Sequence, residues 1–410
     1  MKTIIENATL IDGLAAEPAA GMNLLIENGI IAAIGPATLL DGPGERIDAT
    51  GKTVMPGMID AHLHLMGIRA YNPVLASVEA PFLRAARAVA DVRKLIEAGF
   101  TSVRCAGSRL SVSLNAAVAE GTIPGPRIVA SNLPISQTAG HGDMHMLPPE
   151  WLTGPYAGSR IADGPDDCRK AVREQIRAGA GVIKIMTTGG VLSEKDSPTH
   201  PQFVDEEVAA MVEEAHRVGL RVMSHAQSEV GIQLALRNGV DTIEHAIYLD
   251  DETIDLLLEK GTVVVPTFAI ADAIVKFGRA AGLPEYAMKK AEASYQAHRE
   301  SIRRAFQAGV KIALGTDFAG PVGVAHGDNA AELQILVEQV GMSPMQAIAS
   351  ATRIGAEALG LEDEIGTLTP GKQADLLIVD GDPSRDVGIL RQKAAIELVM
   401  KSGRIAVDRR

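Results

Sequence analysis

Apolar residues along this chain follow two periods, and the period changes in blocks. The opening block runs in short apolar stretches. Lys2 to Ile11 reads as a strand, and Asn23 to Gly35 reads as a hairpin turning at Asn28-Gly29, a dipeptide suited to a two-residue β-turn. The closing block repeats this texture. Gln373 to Asp380 and Ile396 to Val407 are strand-like, with a turn signal at Ser402-Gly403. Neither fragment carries enough strands to be stable by itself, so the two ends of the chain are expected to pair.

Between them, strand-like and helix-like runs alternate. Strands are expected at Phe100–Cys105, Pro126–Ser131, around Lys184, at Leu220–His225, before His245, at Thr262–Thr267 and at Val310–Thr316. Helices are expected at Asp167–Ala178, Asp205–Val218, near 230–238, near 250–260 and over 285–308. The Asp205–Val218 run places Val208, Met211, Val212 and Ala215 on one face and carboxylates in its first turn, where the helix dipole favours them. Alternation of this kind predicts a parallel α/β barrel. Met146 to Pro165, rich in Pro and Gly, reads as a long loop near the third strand and over the barrel mouth.

Composition narrows the class. With 410 residues the chain suits one large domain and a smaller one. A net charge of −12 argues against nucleic acid as partner, since phosphate binding needs a basic face. Cys105 and Cys168 are the two cysteines, which points away from a disulfide framework and towards a reducing compartment. No apolar run reaches membrane-spanning length, and Met1 to Asn7 lacks the apolar core of a signal peptide. The cytoplasm is therefore the expected compartment, without a membrane partner; a small-molecule substrate and a homo-oligomer are further expectations.

Certain polar residues end short apolar runs: His62 and His64, Lys184, His225, His245 and Asp317. In a strand, residues i and i+2 share a face, so His62 and His64 can reach one metal ion. Each group also has a plainer reading. Any of the histidines could be a hydrogen-bonded core residue, Lys184 could snorkel from a strand edge, and Asp317 could cap a helix. Inside a parallel barrel, however, both faces of a strand are covered, and a bare ammonium at Lys184 is costly. Burial lowers a lysine pKa, and a neutral amine can take up carbon dioxide to become a carbamate with two oxygens. Neutral imidazoles beside such a group suit zinc.

Among the other histidines, His141 sits in the Gly-rich turn Thr138–Asp143 after the third strand and is expected to contact substrate. His145 and His326 could also reach the mouth, and His216 and His298 are expected to be solvated. His200 lies in a loop and carries no clear signal. Gly189-Gly190 lacks the lysine and serine spacing of a phosphate loop, and Cys105 reads as core.

Taken together, Pro56–His64, Lys184, His225, Glu244-His245, Gly315–Asp317 and Gly366–Leu376 resemble the amidohydrolase superfamily over nearly the whole chain. Thr138–Asp143 and Ile183–Ser193 are most similar to its imidazolonepropionase-like group of metal-dependent prolidases, carboxypeptidases and ochratoxinase-type amidases. The resemblance implies a distorted TIM (β/α)8 barrel over 54–365 and a small β-sandwich from 1–53 and 366–410. It implies two divalent ions, zinc being the expected metal. His62, His64, carbamylated Lys184 and Asp317 would hold one, and the other carbamate oxygen, His225 and His245 the second. A bridging hydroxide would be the nucleophile, and Asp317 would move its proton. Several dipeptidases of the group carry tyrosine two residues after the fifth-strand histidine, where this chain has Gln227. The implied activity is a dipeptidase, carboxypeptidase or N-acyl amino acid amidase. A hydrolase of a cyclic amide, carbamate, urea or lactone is the alternative, and a non-catalytic scaffold is the alternative of another class.

Overall fold

The computed structural model describes residues 2–36, 44–70, 78–152, 157–321 and 323–410. The two ends of the chain do pair. Strands Lys2–Leu10, Ala19–Glu27, Ile30–Pro36, Glu45–Asp48 and Thr53–Pro56 join Leu376–Val379, Ile396–Lys401 and Arg404–Asp408 in one mixed eight-stranded sheet. The seam is the antiparallel register of Met55 with Leu377 and Val54 with Ile378. Asn28 and Gly29 turn the expected hairpin with φ of 53° and 87°, the pair of positive values that such a turn requires. Ile5, Leu24, Ile26, Val54, Leu376 and Met400 form a buried cluster on this sheet.

From Thr53–Pro56 the chain passes through Gly57 into the central α/β body, which has two parallel sheets. The first contains Met58–Leu63, Phe100–Cys105 and Arg127–Ala130. The second orders Arg160–Ile161, Ile135–Ser136, Val182–Met186, Arg221–Ala226, Thr242–His245 and Val263–Val265. Helices Pro165–Ala178, Asp205–His216, Glu229–Arg237, Asp251–Lys260 and Glu285–Ala308 lie close to their expected positions. Val208, Met211, Val212 and Ala215 are buried, as their spacing requires. The expected loop at 146–165 holds a short 3-10 turn at Pro149–Leu152 and the Arg160–Ile161 strand, and its residues 153–156 lie outside the described residues.

The expected strand at Val310–Thr316 is the main departure. Among the described residues this segment makes isolated parallel bridges, Ile312 to Val264 and Phe318 to Leu63, instead of a ladder. Hydrogen bonds continue the contact, from Ala313 N to Val264 O and from Ala61 N to Leu314 O, each 2.9 Å. On the far side, Gly181 N bonds Ala130 O at 2.8 Å. The sheets are thus linked on both sides without a closed ladder of strands. The physical reason lies in the crossing itself. A Cβ on Gly315 would sit 2.3 Å from Val265 Cγ1 and 2.9 Å from His62 Cβ, and Asp317 turns out of the strand with φ of 56°.

Leu377 is fully buried and belongs to the same apolar cluster as Met55, Met58, Phe100 and Val399, so it couples the terminal sheet to the central body. Leu377→Ala should lower stability by about 2–5 kcal/mol, as cavity-forming core truncations do. The check is a lower denaturant midpoint at unchanged slope.

Candidate metal centre

The first strand of the central body carries His62, and His64 follows one residue past its end. His62 Nε2 lies 3.6 Å and His64 Nε2 3.0 Å from Asp317 Oδ1. The ligand atoms of these three residues fall within 4.8 Å of one another. They converge because Asp317 N and Thr316 N both bond His62 O, at 2.7 and 3.0 Å. Asp60 fastens the same crossing from behind, accepting from His62 N at 3.0 Å, Thr316 Oγ1 at 2.7 Å and Asn329 Nδ2 at 2.7 Å. Its burial raises the Asp60 carboxyl to about 6 despite those bonds.

The remaining histidines close the ring. The His62 and His245 ring centres are 5.1 Å apart, His245 and His225 4.6 Å, and His225 and His141 4.2 Å. Lys184 lines the same cavity, of about 460 Å³, beside all five histidines and Asp317. The structure therefore brings His62, His64, His141, Lys184, His225, His245 and Asp317 together on one cavity. Desolvation holds His62, His225 and His245 well below the ordinary histidine pKa, which leaves them neutral and able to act as ligands. It also brings Lys184 down to about 8, against the pull of Glu244 and Asp317. Burial pushes the Asp317 carboxyl up, but the His64 hydrogen bond and the surrounding His62, His64 and Lys184 outweigh it and hold the group below its ordinary value.

Outward partners orient the rings. His62 Nδ1 meets Glu244 Oε2 at 2.5 Å, His64 Nδ1 meets Gly107 O at 2.9 Å, and His245 Nδ1 meets Thr267 Oγ1 at 2.8 Å. Each bond occupies one ring nitrogen and leaves the other for the centre, the arrangement metal-binding histidines favour. His245, Thr267 and Asp317 all adopt φ above 50°, a conformation that costs side-chain-bearing residues about 1–3 kcal/mol each.

Several residues behind this wall escaped the sequence reading. Arg104 is fully buried, donating to Ala61 O at 2.6 Å, Thr242 Oγ1 at 3.0 Å, Ala358 O at 2.9 Å and Glu244 Oε1 at 2.8 Å. The signal was present, because Arg104 interrupts an apolar strand just as Lys184 does. His298 corrects an expectation. It is buried, donates from Nε2 to His245 O at 2.8 Å, and its ring centre lies 4.4 Å from that of Phe268. The charged residues around it in sequence face outwards while its own helical face packs inwards. His216 is exposed as expected, though paired with Asp241 at 2.8 Å. His326 sits behind His64, with Nε2 3.1 Å from His64 O. His145 lines a neighbouring cavity instead. His200 is exposed and Cys105 buried.

With this geometry in view, the relatives of the chain can be placed. The amidohydrolase family model matches residues 53–406, and the chain belongs to that family. An ochratoxinase of Aspergillus niger is 36% identical over 424 aligned positions, covering 98% of this chain and 86% of that protein. The crystal structure of a prolidase complexed with N-methylphosphonate-L-proline superposes with TM-score 0.92 at 34% identity, covering 100% of both chains. A Xaa-Pro dipeptidase with methionine in its active site superposes with TM-score 0.88 at 34% identity, covering 99% of both. The chain is accordingly a hydrolytic enzyme acting on C–N bonds, which sets aside the scaffold reading. Its family generally uses divalent metals, and His62, His64 and Asp317 could bind one. No helix among the described residues is long and apolar enough to cross a membrane.

Arg104→Ala leaves the Glu244 charge buried without its guanidinium, which should cost about 3–5 kcal/mol. Glu244→Gln in the same chain removes that charge, so the double variant should lose clearly less than the sum of the singles. Denaturant titration of the four proteins measures the coupling, and simple additivity would dissolve the pair.

Proposed function

We propose that this enzyme is a binuclear metal-dependent hydrolase of amide bonds, a dipeptidase, carboxypeptidase or N-acyl amino acid amidase. The observation that carries the reading is the convergence of His62, His64 and Asp317 beside buried Lys184, on the wall shared with His225 and His245. In this reading the parallel sheets and the 310–318 crossing form one distorted eight-stranded barrel over 54–365. The terminal strands of 1–53 and 366–410, joined by Thr53–Pro56, form a separate β unit in which the eight-stranded sheet folds over on itself as a small β-sandwich.

The donor set fits two divalent ions. His62, His64, Asp317 and one oxygen of carbamylated Lys184 would hold one, and the second oxygen, His225 and His245 the other. Bound there, divalent zinc supplies a Lewis acid for the scissile carbonyl and lowers the pKa of water towards neutrality. The chain supplies the rest. The Lys184 amine, desolvated so that its pKa falls to about 8, adds to carbon dioxide, forming an N–C bond and releasing a proton. Asp317 takes the proton of the attacking water and passes it to the leaving amine. His141, on the cavity wall, contacts the substrate. Met66, Ile68, Leu133, Met186, Ile247 and Ile270 make much of that wall apolar, which favours a substrate with a bulky apolar group. The ochratoxinase and prolidase relatives support amide chemistry of this kind.

A second reading has its own observation. Gln227 lines the cavity where several dipeptidases of the group carry tyrosine, and its buried Oε1 has no hydrogen-bond partner among the described residues. The same machinery would then act on a cyclic amide, carbamate, urea or lactone. A screen of N-acyl amino acids, dipeptides and their non-peptide counterparts on zinc-loaded protein separates the two.

Purified enzyme loaded with zinc in bicarbonate should hold about two ions per chain, as two-metal sites do. Lys184→Ala should lose the second ion and nearly all turnover, and short carboxylic acids should partly restore both. Elemental analysis and kinetics on one preparation decide this, and a variant with both ions and wild-type turnover would remove Lys184 from the bridge.

Asp317→Asn should keep most of its metal while kcat falls about 10²–10⁴-fold, the usual scale of acid–base catalysis. An amide oxygen can approach the ion but is too weakly basic to take up and pass on a proton. Retained kcat at full metal content would refute the proton-transfer role.

A further inference from the structure

The hydrolytic reading uses the His141 ring and leaves its supports unexplained. His141 Nδ1 lies 2.9 Å from Ser193 Oγ, and Ser193 Oγ makes a short hydrogen bond to Asp196 Oδ1. The Asp196 side chain is 5% exposed. It also accepts from Gly190 N and from Gln202 Nε2, each at 3.3 Å. Gln202 Oε1 in turn accepts from His141 N at 3.0 Å. Lys290, from the Glu285–Ala308 helix, clamps the same loop by donating to Gly190 O at 3.2 Å, Ser193 O at 2.7 Å and Asp196 O at 2.6 Å. The imidazole itself stacks on His225, the planes 18° apart, and lies so close to Gly190 that a Cβ there would meet Cε1 at 2.1 Å. Only glycine lets the backbone approach the ring this closely. The far nitrogen, Nε2, has no hydrogen-bond partner among the described residues, and the ring lines the cavity.

The order of donors along this chain follows from its end. A carboxylate only accepts hydrogen bonds, so the Ser193 hydroxyl spends its hydrogen on Asp196. The other acceptor within reach, Gly190 O at 3.4 Å, gives the same result. Ser193 Oγ then offers a lone pair to His141, and Nδ1 must be the N–H. In the neutral ring Nε2 carries the lone pair.

We propose that Asp196, acting through Ser193, is a positioning residue that fixes His141 in its Nδ1–H form, so that Nε2 meets the substrate as an acceptor for an N–H or O–H group. This rests on the cavity being the hydrolytic site. It also narrows what His141 can touch there, since a lone pair repels a substrate carboxylate and receives an amide N–H.

Asp196→Leu tests this because it keeps the bulk and removes the acceptor. Released from the carboxylate, the Ser193 hydroxyl lies nearer Nδ1, at 2.9 Å, than Gly190 O, at 3.4 Å, so it turns to Nδ1 and the Nε2–H form of the ring becomes populated. Zinc-loaded enzyme labelled with [15N]histidine is examined by 15N–1H correlation, with His141 assigned from the signals missing in His141→Gln. The wild type should show Nδ1–H at His141 and Asp196→Leu should add an Nε2–H signal. Turnover of an N-acyl-L-amino acid should fall about 10- to 100-fold in kcat at unchanged metal content, the scale outer partners of site histidines carry. Ser193→Ala should lose a similar factor, and adding Asp196→Leu to it should cost nothing more. An Nε2–H wild type, an unchanged tautomer and kcat in Asp196→Leu, or multiplicative losses in the double variant would overturn the proposal. The tautomer is read without substrate, so a failed substrate screen, which would sink the hydrolase reading, leaves this test intact.

Discussion

The buried chain Arg104–Glu244–His62 is the constraint around which the rest of the centre is arranged. A guanidinium and a carboxylate are removed from water together, which is tolerable only when each is fully hydrogen-bonded. Arg104 meets that condition with four acceptors, and Glu244 divides its oxygens between Arg104 and His62. The residues come from three different strands, Met58–Leu63, Phe100–Cys105 and Thr242–His245. Satisfying the charges therefore fixes the relative height of these strands, and with it the direction in which His62 points. Lys184 stands beside the same pair and feels Glu244 and Arg104 with opposite sign. A negative carbamate on Lys184 would be repelled by Glu244 alone, and the Arg104 charge offsets that repulsion.

Around this fixed core the backbone is bent where side chains must enter the cavity. His245, Ala246, Thr267 and Asp317 all take left-handed conformations, and three of these ends are held by named bonds. His298 donates to His245 O, Thr267 Oγ1 meets His245 Nδ1, and Asp317 N donates to His62 O. Strain of this kind persists only when the surroundings over-determine it. It also explains why Val310–Thr316 does not form a full strand. The segment must leave the ladder early for its carboxylate to reach two imidazoles.

Much of the centre was legible because it obeys strand parity. The period-two spacing of His62 and His64 pointed to their common partner Asp317, although His64 lies one residue past the strand, and Lys184 announced itself as a charge inside an apolar run. The two-ended sheet was legible from its turn dipeptides. What could not be read were properties of packing between distant segments. His298 looked solvated because its neighbours in sequence are charged, yet its burial depends on where its helix lies against His245. Arg104 obeys the same rule as Lys184, but nothing local marks its partner Glu244, 140 positions away. The loss of the last strand follows from the Gly315 crossing, a contact with Val265 and His62 that no local pattern encodes.

The antiparallel seam between Thr53–Pro56 and Leu376–Val379 bears on how the chain is made. The strand carrying Met55 is synthesised early, and its partner emerges some 320 residues later, which at ribosomal rates is tens of seconds. Throughout that interval the Thr53–Pro56 strand keeps a bare edge, a template for pairing with other chains, and the strand that carries His62 and leads to His64 begins two residues beyond it. Such long-range closure makes the last step of folding slow. A nascent chain that stalls before residue 376 would keep both histidines and lack the strand that anchors them.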